Sequence, residues 1–175
     1  MAWNTPKTWS VGDVLTASEM NTYVRDNTGF LNAPPSCRAY NSAAISINNN
    51  TITALTFNSE RWDTDSIHST VTNTERLTAT TAGIYHIYGS VAFAANSTGD
   101  RALYIYLSGS VIYSSMRVGA ATGRTICTIS TEISMAVSDY VTLHVFQDRG
   151  GSLNVDTLSN YSPEFGMTYL GKAST

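Results

Sequence analysis

The run Arg61-Trp62-Asp63-Thr64-Asp65-Ser66-Ile67-His68 sets two carboxylates two residues apart. Asp63 and Asp65 offer the hard oxygen ligands that Ca²⁺ takes, but that ion wants about six to eight of them, and no glycine-bearing loop frames this pair. The same residues equally suit a turn in which Asp side chains accept from nearby amides. His68, His86 and His144 are the only histidines, and none stands at metal-ligand spacing from another His or a Cys. Cys37 and Cys127 are the only cysteines, and a single pair is no disulfide framework, so buried free thiols are favoured over a bond. The chain has no Gly-x-Ser-x-Gly elbow, P-loop or paired-glycine dinucleotide turn. No spacing brings a nucleophile, a base and an oxyanion donor together. The expectation is a non-enzyme without cofactor or resident metal. A third chemistry is open to Tyr104, Tyr106 and Tyr113: exposed rings stack on sugar faces, while Asn-rich loops bond hydroxyls. Packing across a sheet surface is the plainer use of the same tyrosines.

Most of these residues fall in segments that read as strands. Residues 84–93 place Tyr85, Ile87, Val91 and Phe93 on one face and His86, Tyr88, Ser90 and Ala92 on the other. His86 and His144 both lie mid-strand, opposite the apolar set, as surface or interface residues. Residues 102–107 put Leu103, Ile105 and Leu107 inward, with Tyr104 and Tyr106 outward. Ser108-Gly109-Ser110 then turns the chain into residues 111–117, giving a hairpin. Strands follow at 124–135, at 140–147 with Val141, Leu143 and Val145 inward, and at 165–170; residues 52–57 give a weaker strand signal. Short strands between turn signals, with no second helical stretch, predict an all-β sandwich.

The N-terminal segment differs. Thr16-Ala17-Ser18-Glu19 matches a capping box. Met20, Tyr23, Val24, Asn27 and Phe30/Leu31 then recur at helical spacing, Gly29 is a plausible stop, and Pro34-Pro35 enforces an extended linker. So short a helix is marginal in water and needs a surface for its apolar stripe. That surface is either its own domain or another chain. Trp3 and Trp9 sit in the same arm, and indoles often act as anchors. Residues 1–35 therefore read as an anchoring arm, and residues 36–175 as a single β domain.

Composition narrows the partners. Charged residues make up 13% of the 175 residues, against about 25% in ordinary soluble chains. Ser, Thr and Asn fill the polar positions. A net charge of −3 without a basic run argues against nucleic acid. The N-terminus lacks the basic and apolar regions of a secretory signal, and no apolar run reaches the roughly 20 residues that span a bilayer. A protein made in a cytoplasm, without a membrane anchor, is expected.

Two resemblances add to this reading. Trp62-Asp63 followed by Gly83-Ile84-Tyr85-His86-Ile87 resembles the centre of the C1q/tumour-necrosis-factor-like jelly roll. Ser-Asp-Tyr-Val-Thr-Leu-His-Val (138–145) resembles that family's Gly-Asp-x-Val-x-Leu-x-Val strand, with Ser138 replacing the glycine. Residues 164–171, Glu-Phe-Gly-Met-Thr-Tyr-Leu-Gly, resemble its closing strand with a shifted glycine. The match runs from Ser36 to Gly171. It implies a C1q/TNF-like jelly-roll sandwich that assembles as a homotrimer, one sheet of each copy facing its neighbours. Tyr85, His86, Tyr88, Ser90 and Ala92 are the expected interface residues.

The leader resembles those of tailed-bacteriophage structural proteins through Trp9, Gly12, Asp13, Leu15, Thr16, Ala17, Ser18, Asn21, Arg25, Asp26 and Asn27. It implies a virion surface component: a capsid decoration protein, a head fibre or a tail-fibre knob. Trp3, Trp9, Leu15, Met20, Tyr23 and Val24 would bind other virion proteins, and a host-surface glycan is the alternative partner.

Overall fold

A computed structural model describes residues 3–173, the side chain of Val111 excepted; residues 1–2 and 174–175, the ends of the two expected segments, lie outside the described residues. A helical segment opens the chain: α1 (Ala17–Glu19), a π-helical stretch at Met20–Asp26, and α2 (Asn27–Asn32). Strands follow: β1 (Ser36–Tyr40), β2 (Ile45–Ile47), β3 (Thr53–Ala54), β4 (Ser59–Asp63), β5 (Arg76–Thr78), β6 (Gly83–Phe93), β7 (Asp100–Leu107), β8 (Val111–Gly119), β9 (Thr125–Met135), β10 (Tyr140–Gln147), β11 (Leu153–Val155) and β12 (Glu164–Gly171).

Two antiparallel sheets stack face to face. The first runs β9-β6-β12-β1-β4, with β11 and β2 continuing from one end of β6. The second runs β3-β10-β7-β8, with β5 also on β10. Alternation drives the stacking, because successive side chains on a strand point to opposite faces. Tyr85, Ile87, Val91 and Phe93 of β6 are buried, and meet Leu103 and Ile105 of β7 and Val141, Leu143 and Val145 of β10. Phe57 stacks on Phe165 at 5.7 Å between ring centres. Gly89 lets the sheets approach: a Cβ there would lie 2.7 Å from Leu143 Cδ1. The expected sandwich and its inward residues are as the alternation predicts.

The capping box forms, with the Glu19 amide donating to Thr16 Oγ1 at 3.2 Å and the Thr16 amide to Glu19 Oε2 at 3.0 Å. The expected stop at Gly29 is overturned. Ala33 N donates to Gly29 O, and α2 continues to Asn32. Burial of Phe30, only 3% exposed, outweighs the roughly 1 kcal/mol helical disadvantage of a glycine. The prolines stop the helix instead. They do not form a free linker, either: Tyr169 N donates to Pro35 O at 2.9 Å, and Thr64 Oγ1 to Pro34 O at 2.8 Å. The end of the helix is stapled directly to the first sheet, at the start of β1 beside the end of β12.

Candidate functional site

The outward face of the first sheet carries the densest set of aromatic and charged side chains. The strand registers align them in rows. Trp62, Arg38, Gly166, Tyr88 and Ser130 form one row, and Tyr40, Glu164, Ser90 and Thr128 form the next. Ser36, Thr168, His86 and Glu132 form a third. Glu164 is 2% exposed. A carboxylate so buried requires charged partners, and two arginines supply them. Arg38 donates from Nε to Glu164 and from a terminal nitrogen to Asn160 O; Arg61 donates to Glu164 Oε1 at 2.9 and 3.2 Å. The Arg61 guanidinium also lies over the Tyr40 ring at 4.1 Å, and Arg38 lies over Trp62 at 5.8 Å. Two cations on one anion leave a net positive cluster framed by rings.

Tyr88 lies beside this cluster and across Gly166, and His86 stacks on Tyr88 at 5.9 Å. Burial raises the Tyr88 phenol above its ordinary range, an effect that Arg38 partly opposes. His86, Tyr88, Ser90, Thr128 and Ser130 line a shallow depression of about 370 Å³. Of the five expected interface residues, His86, Tyr88 and Ser90 reach this surface. Tyr85 and Ala92 do not. Tyr85 is fully buried and donates its hydroxyl to Thr81 O at 2.7 Å. Ala92 is covered, its amide donating to Ser162 Oγ at 2.8 Å. Tyr85 points into the core by strand parity, whereas Ala92 has the outward parity but lies under the chain entering β12. The β1 and β4 arginines, Tyr40 and Trp62 were missed. β4 carries no apolar alternation and β1 only the small pair Cys37 and Ala39, and Trp62-Asp63 read as a turn.

That turn is nonetheless real. Asp63 accepts from the amides of Asp65, Ile67 and His68 at 2.8 to 3.0 Å, so its oxygens cap a loop. Asp65 accepts from Thr80 Oγ1 at 2.6 Å. His68 is buried, with Nδ1 2.9 Å from Glu60 Oε1 and Nε2 3.2 Å from Thr74 O.

On the second sheet, Tyr104, Tyr106 and His144 form one half-buried group, with Tyr106 and His144 ring centres 4.2 Å apart. Thr142 Oγ1 lies 2.9 Å from His144 Nε2, and burial lowers the affinity of that imidazole for a proton. Tyr113 is exposed but makes no ring contact with this group.

The arm folds back along the helix. Asn4 N donates to Asn27 Oδ1 at 2.9 Å, and Asn27 Nδ2 donates to Asn4 O at 2.8 Å. Lys7 pairs with Glu19 and lies over Trp9, which meets Tyr23 edge-on. Trp3 and Tyr169 both meet Phe30 edge-on. Among the anchor candidates, Trp3, Trp9 and Tyr23 thus already have intramolecular partners. Leu15, Met20 and Val24 stay 41 to 50% exposed. The two docking surfaces left open for the helix are used unequally: its C-terminal end binds its own domain, while Met20 and Val24 face outward. Among the described residues, no helix is long and apolar enough to cross a membrane.

No protein-family model matches the sequence, and no curated protein matches it. Solved structures do resemble the fold. Eiger TNF from S. frugiperda superposes with a TM-score of 0.62 at 11% identity, over 81% of this chain and 95% of that one. The globular domain of zebrafish complement 1qA gives 0.56 at 13% identity, over 79% and 99%. Murine APRIL gives 0.60 at 12% identity, over 78% and 98%. The chain thus has a jelly roll of the TNF and C1q type, behind a short helix.

Proposed function

We propose, from this jelly roll and the arm ahead of it, that the protein is a non-enzymatic, homotrimeric component of a bacteriophage virion surface. In this reading, the arm binds other virion proteins and the β domain forms a projecting knob, as capsid decoration, head fibre or tail-fibre knob. The observation that carries it is the outward face of the first sheet. Tyr40, Trp62, Tyr88, Arg38 and Arg61 are the residue types that concentrate at protein interfaces, and they stand together on one face of the sheet. A closed ring of three is one of the common symmetric solutions. Three arms on one trimer then hold by avidity what one holds weakly.

Light scattering should give three times 18.9 kDa in solution; a single-copy mass at micromolar concentration sinks the trimer. Met20→Glu with Val24→Glu, in the full chain, should leave the trimer intact and abolish binding to particles prepared without the protein. Normal binding would refute the anchor. Immunogold labelling assigns head or tail.

The Tyr104–Tyr106–His144 group supports a second reading, adhesion to a host glycan. Adjacent half-exposed rings present faces on which a sugar stacks. A glycan array should show binding that Tyr106→Ala removes; a purely architectural protein leaves the array blank.

A further inference from the structure

The outward face of the first sheet is chemically lopsided, and its two sides complement each other. At the β9 side stand Ile126, Thr128, Ser130, Glu132 and Ser134, all exposed. Glu132 differs from every other Asp and Glu side chain: it alone makes no hydrogen bond or ion pair with any described residue. The remaining twelve are held by a cation, a hydroxyl or an amide, as Glu19 is by Lys7, Asp156 by Arg124 and Asp139 by the Ala136 amide. At the opposite side, β1 and β4 present Arg38 and Arg61, two cations sharing the single buried charge of Glu164. Trp62, 44% exposed, and Tyr40 frame them.

Glu132 cannot reach these arginines within its own chain. Strands β6 and β12 intervene between β9 and β1, and strands spaced about 4.8 Å apart put the two sides roughly 14 Å from each other. A ring of three identical copies makes heterologous contacts: one patch of each copy meets a different patch of the next. When the shared face lines the ring, its two sides are the patches that meet. We infer that Glu132 of one copy seats against the Arg38–Arg61 cluster of its neighbour, so that each cluster gains a second carboxylate and becomes neutral. The occupant of the arginine cluster is a second copy of this chain, and the contact sets the rotation that closes the ring at three. This inference rests on the trimer reading.

The test uses full-length protein, with association followed by light scattering across a dilution series and folding by circular dichroism. Wild type that remains monomeric refutes the trimer itself. If wild type is trimeric, Glu132→Arg should raise the concentration for half-association by about a hundredfold, because like charges then meet across the contact. Residue 132 is exposed and unpaired, so this variant keeps its fold. Glu132→Gln should weaken association less and should flatten its dependence on salt between about 0.05 and 0.5 M. In an Arg61→Gln background, in which Arg38 still holds Glu164, the Glu132→Gln substitution should have no further effect. Unchanged association of the Glu132→Arg trimer overturns the pairing while leaving the trimer standing. Additive effects of Glu132→Gln and Arg61→Gln overturn it as well.

Discussion

The ring of Tyr88 lies across Gly166 on the neighbouring strand, so closely that a Cβ on Gly166 would sit 2.1 Å from Tyr88 Cζ. The glycine makes the place where a large aromatic lies flat on the sheet instead of standing out from it. Gly166→Ala should therefore lift the ring. The displaced atoms are the far end of a side chain that can swing outward, so the stability cost should stay near the low end of overpacking, about 1 kcal/mol by chemical denaturation. The self-association we propose through this face should weaken more. A Tyr88→Ala background should remove most of the stability cost, and persistence of the full cost there would show that the contact is not its cause.

Glu164 should be the most sensitive residue of the same face. Glu164→Ala leaves Arg38 and Arg61 without their shared anion. Both arginine side chains are about a third exposed and rehydrate in part, so the loss should be about 2–3 kcal/mol, below the roughly 3–5 kcal/mol of a fully enclosed pair. Denaturant unfolding measures it. A loss within 0.5 kcal/mol, the usual range of a surface change, would contradict the burial.

His144 should make the domain less stable in mild acid. Burial lowers its proton affinity in the folded state, so below the ordinary value of about 6.5 the unfolded chain binds more protons than the folded one. The contribution is then complete above that value and is lost as pH falls through the folded-state pKa. One such group tilts stability by at most about 1.4 kcal/mol per pH unit. His144→Phe, which keeps a ring against Tyr106, should flatten the stability profile between pH 7.5 and 5. An unchanged slope would assign the acid sensitivity elsewhere.

Both cysteines should be silent until the chain unfolds. Cys37 of β1 and Cys127 of β9 are free and fully buried, with β6 and β12 between them, beyond the Cα separation of about 7 Å that a disulfide permits. Burial pushes the Cys127 thiol up to about 11 and the Cys37 thiol higher still. A thiol reagent at pH 8 should label neither in the native protein and both in denaturant; rapid native labelling would contradict this packing.

How much of this was legible depends on strand length. The long strands β6, β9 and β10 alternate over many residues, so their periodicity, their inward faces and the sandwich follow from the residues. The strands that hold the charged site do not. β1 and β4 are short and polar, and they are strands because β12 offers β1 an edge and β1 then offers β4 another. Glu164 reads as an ordinary surface residue until the register brings Arg38 and Arg61 to it. The helix start was legible in its capping box. Its end was not, because Phe30, meeting Tyr169 of the last strand, carries the helix past Gly29 to the prolines.

The reciprocal amide pair of Asn4 and Asn27 holds the arm against its own helix, and this bears on the tether we propose. A loose leader would search a wide volume and then give up its freedom on capture. This one has already surrendered that freedom when the chain folds, and its helix is clamped to the β domain. As a tether it would be a stiff stub, and wherever a partner gripped it, it would dictate the tilt and height at which the β domain stands.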